Sequence, residues 1–196
     1  MKTSPTPDRL SRRQALAHVG LPLAALAWPA LAAAQGNGAA VPPEVAAEVP
    51  DARQQGGDLF RYFGLRVYDI RLWVGERAVG DAWDDRPLAL ALTYQRKLVG
   101  AQIAERSLKE MQGLGRIDAA DAERWLLAMK RLFPDVAKGD RLTGVLRPGE
   151  GARFYFNGEL RGDVAEPEFA RLFFGIWLAP GTSEPALRDA LLGRSR

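Results

Sequence analysis

The chain has 196 residues, 27 of them basic and 24 acidic, with one histidine and no cysteine. The missing cysteine excludes disulfides, thiolate nucleophiles and lipid attachment through sulfur, and because the single histidine is His18, near the start, Ser-His-Asp catalysis and ordinary zinc or copper sites are excluded from the rest. Residues 1–34 carry Lys2, Arg9, Arg12 and Arg13 against Asp8 alone, so taking four from 27 and one from 24 leaves 23 charges of each sign, with no cationic excess to bind nucleic acid.

The first segment, "RLSRRQALAHVGLPLAALAWPALAAAQG", has a basic start with the twin arginines Arg12 and Arg13, an apolar stretch broken by Pro22 and Pro29, and small residues before Gln35. This is the pattern of a twin-arginine export signal cut just after Ala34, which implies a periplasmic protein with no stable membrane span once the signal is removed. Residues 35–50, "QGNGAAVPPEVAAEVP", show no apolar period and read as a flexible linker, so one domain is expected over residues 51–196.

"DLFRYF" and "LRVYDIRLWV" alternate as strands around Gly64, and "RPLALALTYQRK" gives another strand with Leu88, Leu90, Leu92 and Tyr94 on one face. In the second of these, Tyr68 shares a face with Ile70, Leu72 and Val74, while Asp69 and Arg71 lie opposite, where they are expected to be wet or ion-paired. The period then turns helical, with Ala101, Ala104, Leu108 and Met111 in one stripe as far as Gly113 and Gly115. Asp118 is the expected N-cap of a second helix that buries Trp125, Met129 and Phe133 and stops at Pro134.

Strands return at "DRLTGVLR", "ARFYF" and "ELRGDV", separated by the turns "PGEG" and Asn157-Gly158. Pro167 opens a helix with the aromatic face Phe169, Phe173 and Trp177, and Ser183 is the expected cap of a last short helix ending at Gly193. This order predicts an α+β fold with a mainly antiparallel sheet.

Four stretches, "GLRVYDIRLWV", "LTYQRKLVGAQIAERSLKEM", "GDRLTGVLRPGEGARFYFNGEL" and "FARLFFGIWLAPGTSEPALRDALLG", resemble the bacterial chalcone isomerase-like proteins in order and spacing. The resemblance covers about residues 55–193 and implies an open-faced β-sandwich, a large sheet backed by a layer of helices with a ligand cleft between them. Plant members of that family include isomerases and fatty-acid-binding proteins, in which an arginine shortly after a glycine and a polar side chain on the next strand hold the anionic end of the ligand. In this sequence Asp58 and Leu59 follow Gly57, Arg61 is the nearest arginine, and Tyr68 takes the place of the polar strand residue.

A guanidinium between Phe60 and Tyr62 suits a carboxylate in a dry cleft, whereas the plainer alternative is a solvated edge-strand arginine. Tyr94 either packs in the core or lines the cleft, and Arg96, next on the same face, is placed to close its mouth. The ligand-binding candidates are therefore Arg61, Tyr68, Tyr94 and Arg96. The leading expectation is a non-catalytic monomer that binds a fatty acid or similar apolar carboxylate with no cofactor and no metal. The alternatives are an envelope protein acting through a protein partner, and an isomerase that closes chalcone-like unsaturated ketones by intramolecular addition.

Overall fold

The computed structural model describes residues 40–194, and the expected export signal lies outside them. In chain order the elements are α1 (Pro43–Glu48), β1 (Arg53–Tyr62), β2 (Leu65–Val74), β3 (Leu88–Tyr94), α2 (Gly100–Leu114), α3 (Ala119–Leu132), β4 (Arg141–Arg147), β5 (Gly151–Phe156), β6 (Glu159–Val164), α4 (Pro167–Leu178) and α5 (Pro185–Leu191). The six strands form one antiparallel sheet in sequence order, with the α2–α3 pair inserted between the neighbours β3 and β4. This is the expected α+β architecture, an open antiparallel sheet with helices packed on it.

Alternation along the strands builds the larger core. Ile70, Leu72 and Val74 of β2, Leu88, Leu90 and Leu92 of β3, Leu142 and Leu146 of β4, and Phe154 of β5 face the helix layer. Tyr68 pairs with Tyr94, Leu72 with Leu90, Leu90 with Gly144, and Gly144 with Phe154, so apolar rows run across the sheet. Asp118 accepts a hydrogen bond from the Asp121 N–H at 2.8 Å and starts α3 as its sequence implies. The Asn157-Gly158 turn has both residues at positive φ, 51° and 89°, the geometry of a two-residue hairpin. Gly56 lets β1 pass under α5, because a Cβ there would stand 2.2 Å from the Ala190 carbonyl oxygen.

One expectation is corrected on the outer face of the sheet. The segment up to residue 50 is not all flexible linker: from Pro43 it is α1, and Val45 and Val49 pack with Trp73, Ala89, Ala91 and Val145 in a second core. Every described core residue accordingly lies at or after Val45. Glu44 binds Arg141 at 2.8 and 3.0 Å and Thr143 at 2.8 Å, while Glu48 binds Arg153 at 2.9 Å and Tyr155 at 2.5 Å, so two carboxylates fasten α1 to β4 and β5. Of the two alternatives for Asp69 and Arg71, the structure has the wet one: Arg71 is exposed, and the half-exposed Asp69 carboxylate accepts from the Gln95 amide.

Ser183 does not cap α5. Its hydroxyl donates to Glu110 on α2 at 2.8 Å, and the Glu184 N–H is held by the Thr182 hydroxyl at 3.1 Å.

Candidate functional site: a cleft between sheet and helices

Between the helix layer and the inner face of the sheet lies a cavity of about 350 Å³. It touches five adjacent strands, from Phe60 on β1 to Phe154 on β5, which at strand spacings of about 4.8 Å is roughly 19 Å of sheet. Its floor is apolar: Leu90, Leu92, Leu142, Phe133, Phe154 and Phe173. Phe154 and Phe173 meet edge to face at 5.1 Å between ring centres, an arrangement favoured by the ring quadrupoles that fixes the floor's shape. Gly144 leaves the middle of that floor low, since a Cβ there would stand 3.3 Å from the Phe154 ring.

Polar groups gather where β2 begins and β3 ends. Tyr68 stacks on Phe60 at 4.9 Å and meets Tyr94 edge-on at 5.9 Å. The Trp177 indole N–H donates to the Tyr68 hydroxyl oxygen at 3.1 Å, which leaves the Tyr68 proton free to be given to something else. Tyr94 is only 1% exposed, yet its hydroxyl makes no hydrogen bond with any described residue. Burial pushes both phenols well above their ordinary range, with the Trp177 bond offsetting part of the effect at Tyr68, so both remain neutral donors at any physiological pH.

The rim is charged. Gln102, Arg106 and Glu110 follow one another at four-residue steps along α2 and all line the opening. The Arg106 guanidinium lies 5.5 Å from the centre of the Tyr62 ring and pairs with Glu110 at 2.5 Å, and Ser183 closes the same group through Glu110. Arg96 lies on the opening, exposed, and forms no ion pair among the described residues. Such a site can hold an apolar body along its floor and an anionic end near two phenol donors and an unpaired guanidinium.

Of the four residues expected from the sequence, Tyr68, Tyr94 and Arg96 line this cleft together and Arg61 does not. Arg61 is exposed and lies between two lining residues, Phe60 and Tyr62, so strand alternation turns it away from the cleft they face. Sequence reasoning missed Arg106 and Glu110, which look like the solvent face of an amphipathic helix. The signal for them is their spacing with Gln102, directly beside the Ala104 and Met111 stripe. Among the described residues no group of His, Asp or Glu is arranged to hold a metal ion.

The model of the chalcone isomerase-like family matches residues 57–193, more than half the chain. The chain belongs to the chalcone isomerase-like family. As a chalcone isomerase-like protein it is 31% identical over 113 residues to a Haemophilus influenzae protein described only as uncharacterized, a match that covers 58% of this chain and 55% of that one. The chain thus spans about half the length of that curated relative. Among solved structures it is similar to the Arabidopsis thaliana fatty-acid binding protein, with a TM-score of 0.58 and 14% identity, covering 78% of this chain and 95% of the plant chain. Likeness at that identity establishes the shared fold.

Proposed function

We propose that this chalcone isomerase-like chain is an exported, non-catalytic binding protein for a fatty acid or a similar apolar carboxylic acid. The observation that carries the reading is the pairing of a long apolar floor with Tyr94, a nearly fully buried phenol without a partner, beside the unpaired Arg96. The tail lies over Leu92, Leu142 and Phe154, and the carboxylate accepts from the Tyr68 and Tyr94 hydroxyls with Arg96 neutralising it from the rim. The plant structural relative is a fatty-acid binding protein, and that supports the same choice of ligand class. The basic, apolar and small-residue pattern of residues 1–34 supports export to the periplasm.

Titration with a series of saturated acids from hexanoate to palmitate tests the reading. Each buried methylene contributes about 0.8 kcal/mol, so affinity rises roughly fourfold per added carbon until the chain outgrows the cleft and then levels off. Fatty alcohols of the same length bind more weakly, because they give the phenols and Arg96 no charge to hold. Arg96→Ala narrows that gap, and Arg61→Ala leaves it unchanged. Failure of every acid to bind at tens of micromolar would sink the proposal and favour an envelope protein that acts through a protein partner.

A further inference from the structure

The β1–β2 hairpin ends in Tyr62-Phe63-Gly64-Leu65, where Tyr62 pairs with Leu65 and the two central residues have φ of 47° and 76°. This is the same two-residue turn that Asn157-Gly158 makes at the other end of the sheet, and it favours asparagine or glycine at its first position. Phenylalanine there strains the backbone, and the strain gains no burial, because Phe63 is 88% exposed. Tyr62 and Leu65 are exposed beside it, so three of the six large exposed hydrophobic side chains among the described residues lie on this one hairpin.

Cations surround the same tip. Residues 59–68 and 94–104 contain Arg61, Arg66, Arg96 and Lys97, all exposed, and no Asp or Glu. The two stretches adjoin, since the Gln95 N–H donates to the Val67 carbonyl at 2.8 Å. Tyr62 and Arg96 also line the cleft's mouth, so the patch and the opening are continuous.

We propose that this tip docks the protein on an anionic lipid surface, with Phe63 and Leu65 inserted at the headgroup level and Arg61, Arg66, Arg96 and Lys97 on the lipid phosphates. A narrow convex hairpin offers little area to a protein partner, whereas an aromatic and aliphatic point ringed by cations matches what a bilayer interface accepts. No described helix is long and apolar enough to cross a membrane, so the contact is peripheral. Docking in this pose places the cleft's mouth against the leaflet. That the protein there exchanges an acid with the bilayer rests on the binding reading above, while docking itself rests on the patch alone.

Residues from Asn37 onward, which hold the whole described core, are tested by flotation with vesicles of phosphatidylglycerol and phosphatidylcholine and with phosphatidylcholine alone. Binding is expected to the anionic vesicles and to weaken as salt is raised. Neutralising Arg66 and Lys97 together, as Arg66→Gln and Lys97→Gln, lowers partitioning about 25-fold, at about fivefold per charge. Phe63→Ser lowers it about tenfold or more, and because Phe63 is exposed the change removes no core contact. Palmitate binding in solution is measured on every variant and is expected to stay at the wild-type level, because none of these residues lines the cleft.

Equal partitioning to both vesicle types, or unchanged partitioning of Phe63→Ser, overturns the proposal. So does a dimer by light scattering that Phe63→Ser dissolves, since the tip's occupant is then a second copy. Vesicle binding without any palmitate binding keeps the docking surface and removes the acid-carrier reading alone.

Discussion

The two cleft tyrosines, Tyr94 buried and Tyr68 partly buried, make opposite demands on the protein, and removing each hydroxyl separates them. Tyr68→Phe takes the acceptor from the Trp177 indole N–H, which now bonds it at 3.1 Å in a residue that is itself buried. An unsatisfied buried donor costs about 1 to 3 kcal/mol. For a compact unit of this size each kcal/mol shifts the melting temperature by roughly 2 to 4 °C, so Tm falls by about 2 to 12 °C. Tyr94→Phe breaks no hydrogen bond with any described residue, and because the residue lines the cleft, losing its hydroxyl leaves Tm near the wild-type value. Its effect lies in binding, where a hydrogen bond to a charged group is worth about 1.5 to 3 kcal/mol, and acid affinity falls about ten- to 150-fold. Thermal unfolding of both variants, without ligand and with saturating laurate, reads both quantities. A Tyr94→Phe protein that melts as low as Tyr68→Phe, or binds laurate as well as wild type, would show the Tyr94 hydroxyl to be structural and the head-group assignment mistaken.

Two further outcomes follow from the geometry. Gly144→Val sets branched methyls where even a Cβ lies 3.3 Å from Phe154, so the rings shift into the cleft; palmitate affinity should fall more than octanoate affinity, and equal losses would place the tail elsewhere. At Glu44 burial raises the carboxyl's pKa, but the bonds from Arg141, the backbone and Thr143 together outweigh it and hold the group below its ordinary range; Glu48 behaves alike through Tyr155 and Arg153. Depressed carboxyls contribute stability that is whole above the unfolded value of about 4.3 and is lost as pH falls through the lowered native values. Near-ultraviolet dichroism of Trp73, buried under α1, should therefore fade in that acid window. The double variant Glu44→Gln, Glu48→Gln should flatten the acid dependence, and an unchanged profile would put the acid-sensitive groups elsewhere.

The sheet was legible because its signals are local. Strict alternation marks β2, a hairpin dipeptide marks the β5–β6 turn, and Asp118 marks the start of α3. Helix α1 was not legible: it has six residues, two buried positions and an alanine- and proline-rich composition that shows no period, and only contact with Trp73 and Val145 gives it a reason to form. Within the cleft, alternation from Leu88 carried Tyr94 and Arg96 correctly to the inner face and mouth. Arg61 was misplaced by one residue's parity, since the aromatics on either side of it are the ones that face inward. Arg106 escaped notice because a rim is by nature half solvent, and its charged residues share the spacing of any wet helix face.

The cleft bears on stability as well as on binding. Cavity surfaces cost about 24 cal/mol per Å³ in a packed core, which for about 350 Å³ is an upper bound of roughly 8 kcal/mol before water enters at the mouth. That bound is comparable with the whole net stability of a domain, about 5 to 15 kcal/mol, so how the strands bordering the cleft are supported matters to the fold. This sheet has two cores. Ala89, Ala91 and Val145 pack beneath α1 on one face while Leu90, Leu92 and Leu142, part of the larger core, border the cleft on the other, so the central strands are packed on both faces. The carboxylates of α1 reach Arg141 and Thr143 on β4, the strand that carries Gly144 at the low point of the floor. If α1 supports the floor of the cleft, an acid that fills the cleft should raise Tm more in the Glu44→Gln, Glu48→Gln protein than in wild type at matched occupancy. Equal ligand-induced shifts in the two proteins, at matched occupancy, would show that the two cores act independently.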